Sequence, residues 1–225
     1  MTELLIDTCT ERAQIALCSS GSLIELLKLP SGFEQSRKLL PEIDALLKKH
    51  DLLPSQLSAL FVTNGPGSYT GIRMGAIVAK IFSYTCSIPL VALSSLMGFI
   101  PEEEGPFAAL IDAKIGGVYT LFGKKENACI SYSENPKLLS LEAFNEQYIT
   151  PIPLICPNSR RLAPKLKELF PQKTFLFQDK ECDPHRLIQL GQEKLTAGDY
   201  SSYGSMELLY LRKTQAEIEK ESSTQ

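Results

Sequence analysis

The stretch TNGPGSYTGIRMG, residues 63–75, decides how this chain is read. Its four glycines and one proline stand between an apolar run, LSALFVTN (57–64), and a run with helical spacing from residue 69 to about 85. A strand, a glycine turn and a helix start together supply backbone N–H groups and the positive end of a helix dipole, which suits an anion. The string matches neither G-x-x-x-x-G-K-[ST] nor G-x-G-x-x-G, and no lysine lies inside the loop. Two readings stand open. In one the loop is a phosphate cradle: Asp7 helps to hold a hydrated magnesium ion, Thr8 or Ser68 bonds a phosphate, and Gly65, Pro66 and Gly67 shape the turn. In the other Gly65 and Gly67 serve only the turn, Ser68 or Thr70 caps the helix, and Arg73 is a solvated or interface charge.

Upstream, LLIDT, QIALCSS and SLIELLKL read as three strands joined by tight turns. QSRKLLPEIDALLKKHD places Leu39, Leu40, Ile43, Leu46 and Leu47 at helical spacing, with Lys48, Lys49 and His50 where a helix dipole favours cations. Pro41 kinks that helix or stands near its start. Downstream, IPLVALSS is a further strand. The order βββαβα is that of an actin-like half-domain, a meander followed by parallel strands with helical crossovers.

The acidic, proline-bracketed PEEEGP (101–106) predicts a lobe boundary, giving lobes at 1–102 and 103–213 and a polar, fraying tail at 214–225. The chain then repeats itself: LLIDTCTERAQIALCSSG heads the first half and AALIDAKIGGVYTLFGKK the second, aligning Asp7 with Asp112. Helices are expected at 141–147, 160–169 and 184–198, the last with Asp183 as N-cap and Pro184 in the first position. Strands PLICP and TFLFQ lie between them.

Composition narrows the partners. The chain has 225 residues, 44% hydrophobic and 22% charged, and a net charge of −3, so nucleic acid and anionic membrane are not unaided partners. No apolar run reaches the roughly 18 residues of a membrane span. The start, MTELLIDT, carries an early acid and lacks the basic and apolar regions of a secretion signal. Six scattered cysteines without a C-x-x-C pair read as buried thiols of a reducing cytosol.

GPGSYTGIRMG, with DTC upstream, IDA…GGVYTLF downstream and a late LLYLRK, resembles the bacterial TsaB (YeaZ) family of tRNA threonylcarbamoyladenosine biosynthesis proteins, from Leu4 to about Lys213. The resemblance implies an α/β, duplicated actin-like (ASKHA, sugar kinase/Hsp70/actin) fold of two lobes. It implies a cytoplasmic accessory subunit for the N6-threonylcarbamoyl group of a tRNA adenosine. Such a subunit is a non-catalytic relative of the TsaD transferase. It pairs with a TsaD-type transferase, a TsaE-type ATPase docks on the pair, it forms a homodimer when alone, and it meets tRNA only within the complex.

The residues bear on that expectation. TsaD-like proteins carry an H-x-x-x-H metal pair; in the matching IPLVALSSLMGF, Ser95 and Phe99 occupy the two ligand positions, so no metal site is expected. After Gly123 only Gly191, Gly198 and Gly204 remain to build an adenosine clamp, and no cofactor is expected. Gly71, Gly75, Ala79 and Ser83 recur every fourth residue, flanked by Met74, Val78 and Phe82. They form either a partner interface, as the resemblance favours, or packing within the lobe. Arg160, Arg161, Lys165, Lys167 and Lys173 are a solvated helix face or a tRNA contact inside a larger complex. The rival function is a stand-alone actin-like ATPase or kinase built on Asp7, Asp112 and the loop. A peptidase finds no constellation in a chain with two isolated histidines.

Overall fold

The computed structural model describes residues 1–202 and 204–211. The expected tail and the last two residues of LLYLRK lie outside them. The first sheet has the order β3-β2-β1-β4-β5, from β1 (Thr2–Asp7), β2 (Gln14–Ser19), β3 (Ser22–Lys28), β4 (Ala59–Gly65) and β5 (Leu90–Ser94). The first three strands pair antiparallel, then β4 and β5 continue in parallel. The second sheet is built from β6 (Gly105–Asp112), β7 (Val118–Glu126), β8 (Cys129–Tyr132), β9 (Lys137–Leu139), β10 (Pro153–Cys156) and β11 (Leu176–Asp179). Its order is β11-β10-β6-β7-β8, with β9 also on β7.

The second sheet repeats the first. In each, a hairpin leads into two parallel strands, and a helix crosses between them: α2 (Tyr69–Cys86) in the first and α4 (Ser159–Leu169) in the second. Asp7 and Asp112 end corresponding strands, so the short identity read in the sequence marks a structural repeat. The architecture is the two-lobed, duplicated actin-like fold. Strands β8 and β9 were not expected, since their short, half-exposed sequences carry little apolar alternation.

Strand periodicity sorts the core. On β1 and β4, Leu4, Ile6, Leu60 and Val62 face one way, into a cluster with Leu39, Ile43, Leu46 and Leu47 of α1 (Phe33–Lys49). Leu5 and Phe61 face the other way, joining Phe107, Ala109 and Ile111 of β6 in a core shared by both sheets. Each fully buried leucine, isoleucine or phenylalanine contributes about 1.5–3 kcal/mol. Pro41 lies within α1, not at its start. It is exposed, so water can serve the Arg37 carbonyl that the missing N–H leaves unpaired. Helix α5 (Pro184–Thr196) returns to the first sheet and packs on β3 and β5, with Leu187 and Ile188 in the shared core. Its N-cap is Asp183, accepting from His185 N at 2.8 Å, as expected. Among the described residues no helix is long and apolar enough to cross a membrane.

Candidate functional site: the glycine loop and the interlobe cleft

The glycines at residues 63–75 answer to close packing. A Cβ on Gly67 would stand 2.1 Å from the Cys9 carbonyl oxygen, and one on Gly71 2.0 Å from that of Thr8. On Gly75 it would meet Thr8 Oγ1 at 2.3 Å. These glycines let α2 press directly onto the chain leaving β1. Gly65, at φ +118°, faces a different neighbour: Leu209 O lies 2.7 Å from where its Cβ would be. The Gly65–Pro66 peptide is cis. Ser68 is the N-cap, accepting from Gly71 N at 3.4 Å, while its own N–H donates to Cys9 O at 2.7 Å.

Two phosphate-cradle candidates are sealed away. Asp7 is 1% exposed; its Oδ1 accepts from Thr63 Oγ1 at 2.7 Å and from Cys9 N at 3.3 Å. Burial pushes its carboxyl above the ordinary range. Thr8 is fully buried and donates its hydroxyl to Gly71 O at 2.7 Å. Neither lines the cleft, whereas Gly67 and Ser68 do. Pro66 is buried, and its carbonyl accepts from Ser95 Oγ. Ser95 thus braces the loop, while Phe99, fully buried, belongs to the shared core. Among the described residues no three His, Cys, Asp or Glu side chains are placed to hold one ion.

The expected partner stripe also lies inside. Gly71, Gly75, Val78 and Ala79 are buried, the last two in the core under the first sheet, because small side chains are what allow α2 to sit this close to β1. Met74 and Phe82 are half-buried against the same core. The face that α2 leaves outward is another one: Ile77 is 57% exposed, Ile81 56% and Tyr84 67%. A four-residue repeat of small residues locates a helix contact without telling inside from outside. The exposed apolar row at 77, 81 and 84 is the signal that does.

Between the lobes lies a cleft of about 590 Å³. Its walls include Thr10 and Glu11 after β1, Ser68 and Thr70 at the start of α2, and Asp112, Lys114, Asn158 and Arg161 of the second lobe. Charged pairs link its sides: Arg161 Nη2 reaches both Glu11 carboxylate oxygens at 2.6 and 2.7 Å, and Arg12 pairs with Asp179. Lys165 bonds Asp112 at 3.1 and 3.2 Å. Arg161 and Lys165, read as part of a basic face, are therefore engaged within the chain, as is Lys173 with Asn145 O at 2.5 Å. Gly191 packs against the Phe61 ring, where a Cβ would come within 2.6 Å, so it serves α5 packing. Arg73 is exposed but engaged within the chain. Its guanidinium carbon lies 3.9 Å from the Tyr69 ring centroid, and its Nε donates to the Tyr210 hydroxyl at 2.9 Å. Apart from Arg73 with Tyr69, one helical turn away, sequence separation hides these pairings.

The chain is similar to known proteins over this same region. The family model of tRNA N6-adenosine threonylcarbamoyltransferase (TsaD) matches residues 34–138. A tRNA threonylcarbamoyladenosine biosynthesis protein TsaB from Bacillus subtilis is 35% identical over 123 residues, 53% of this chain and 54% of that protein. Its namesake in Escherichia coli is 29% identical over 153 residues, 65% of this chain and 66% of that protein. The chain thus spans about half the length of the Bacillus relative. A solved structure of YeaZ from Pseudomonas aeruginosa superposes with a TM-score of 0.77 at 21% identity, covering 93% of this chain and 99% of that one. Its fold is shared nearly end to end. In sequence the chain is similar to TsaB proteins over about half to two thirds of its length, and in fold it matches the YeaZ structure.

Proposed function

We propose that this chain is a non-catalytic accessory subunit in the synthesis of N6-threonylcarbamoyladenosine in tRNA, working in the cytoplasm. It pairs with a TsaD-type transferase, and a TsaE-type ATPase docks on the pair. Alone it forms a homodimer, and it meets tRNA only within the complex. The relatives named for that biosynthesis support the process. One observation carries the partner role: α2 leaves Ile77, Ile81 and Tyr84 in a row on the surface while its small-residue face is fully used inside. An apolar helix row of this kind fits an obligate or semi-permanent protein contact.

The non-catalytic reading rests on Asp7 and Thr8 being sealed below the cleft, on Ser95 bracing the loop and on Phe99 filling the core. Co-expression with a TsaD-type transferase is the test. The two should co-elute, and tRNA modification by the transferase should require this chain. The purified chain alone should modify no tRNA and should carry no stoichiometric metal. If it modifies tRNA unaided, the accessory role is wrong. The cleft favours one other reading, a stand-alone ATPase; micromolar ATP binding by the isolated chain in titration calorimetry would establish it.

A further inference from the structure

The turn between β1 and β2, at residues 9–12, reaches across the cleft and ends on the second lobe. Its roots are held by backbone bonds. Cys9 O accepts from Ser68 N at 2.7 Å, and Ala13 O accepts from Leu29 N at 2.9 Å. The tip is held by charge. Two adjacent residues of opposite sign, Glu11 and Arg12, meet two residues of the opposite order of sign on the second lobe. Arg161 donates to both Glu11 carboxylate oxygens, at 2.6 and 2.7 Å, and Arg12 pairs with Asp179. The two seats belong to one place in the fold. Arg161 lies in the first turn of α4, and Ser159, where that helix starts, donates its hydroxyl to Asp179 at the end of β11. Minus and plus facing plus and minus give the turn one register on α4.

We propose that this turn is a charge-keyed gate on the interlobe cleft, closed by the Glu11–Arg161 and Arg12–Asp179 pairs. The pairs are exposed enough to open. The side chains of Glu11 and Arg161 are each 50% exposed, and those of Arg12 and Asp179 35% and 33%. Pairs of that kind each shift an equilibrium by about fivefold at most, so the two hold the turn down reversibly. The lobes do not supply the movement, since Leu5, Phe61, Phe99 and Phe107 join both sheets in one core. The part that moves is the tip, and it stands on the rim: Thr10, Glu11 and Arg161 line the cleft. Lifting it uncovers the wall beneath, to which Cys9 belongs although none of its surface is exposed. The gate needs no partner protein, so it stands or falls apart from the accessory role.

The Cys9 thiol reports the state of the gate. The full chain is treated with iodoacetamide, and labelling is followed cysteine by cysteine by mass spectrometry. Cys18, buried and outside the cleft, registers any general loosening. Glu11→Arg sets like charges against Arg161 and should speed Cys9 labelling about fivefold or more, with Cys18 unchanged. Arg161→Glu should do the same. Combining the two changes restores an attractive pair of reversed polarity, and labelling should fall back toward the wild-type rate. Raising sodium chloride from about 0.05 M to about 1 M screens the pairs and should speed Cys9 labelling in the wild-type chain. It should have little effect in a Glu11→Gln, Arg12→Gln chain, where the clasp is already gone. A Cys9 rate unmoved by either single reversal overturns the gate. Acceleration that Cys18 shares is unfolding and overturns it too. A double reversal that labels as fast as the single ones removes the Glu11–Arg161 pair as its key.

Discussion

Gly75 shows how far a single residue's surroundings can reverse an expectation from sequence. In an ordinary helix interior, Gly→Ala stabilises by about 0.5–1 kcal/mol. Here the new methyl would meet Thr8 Oγ1 at 2.3 Å, and that hydroxyl is buried and bonded to Gly71 O. Gly75→Ala should instead destabilise by about 1–3 kcal/mol through overpacking, read as a lower urea midpoint at unchanged slope. Gly75→Arg should fail to fold, rather than give a soluble chain that has merely lost a partner. Two buried acids act differently. Glu3 and Asp7 are both pushed above the ordinary carboxylate range by burial. Each keeps its proton to higher pH in the folded than in the unfolded chain. Their contribution is therefore fully present below about pH 4 and is lost as pH rises through the folded values. Glu3→Gln removes one such group, so its stability relative to wild type should improve steadily from pH 4 to 7. Urea midpoints of the two proteins falling in parallel over that range would contradict this.

At the scale of elements, α2 divides its work between two faces. Gly71 and Gly75 fit it against Thr8 and Ile6, Ala79 joins the core, Ser83 bonds the Ile88 carbonyl, and Ser68 caps it. Ser68→Ala should cost about 1 kcal/mol of stability. Ile81, on the outward face, bears no such load. Ile81→Asp should leave the melting temperature of the isolated chain within the small range of surface changes, about 0.5 kcal/mol. The same change should weaken pairing with a transferase, or self-association, by about 2–3 kcal/mol, roughly a hundredfold. Analytical ultracentrifugation separates the two effects; an Ile81→Asp chain that pairs as well as wild type would remove α2 from the interface.

The whole molecule is held by a core that belongs to neither sheet alone. Phe99 stands fully buried beside Leu5 and Phe61 of the first sheet and Phe107 of the second, with Leu187 of α5 against them. Ion pairs at the cleft add less, since Arg161 and Glu11 are each half exposed and such pairs contribute about 0–1 kcal/mol. Phe99→Ala should cost about 3–5 kcal/mol. Because both sheets share that core, the chain should still unfold in one transition by circular dichroism and by tyrosine fluorescence. Separate transitions would mean that the lobes stand independently.

The amino-acid order by itself determined the elements and their repetition. The short apolar runs of β1, β2 and β4, the helical spacing in α1, and the Asp183–Pro184 start of α5 are local patterns, each legible within a dozen residues or so. The Ile-Asp pair at the head of each half disclosed the duplication for the same reason. Only the tertiary structure decided what those elements are for. Whether a glycine row faces a partner or β1 depends on which side of α2 meets the sheet. Whether Asp7 meets solvent depends on Thr63, 56 residues away. What covers Gly65 is Leu209, and one of the groups that hold Arg73 is Tyr210, 137 positions further along the chain. Such contacts arise from the closure of long loops around a shared core. Residue type and spacing carry no record of which distant segments that closure brings together.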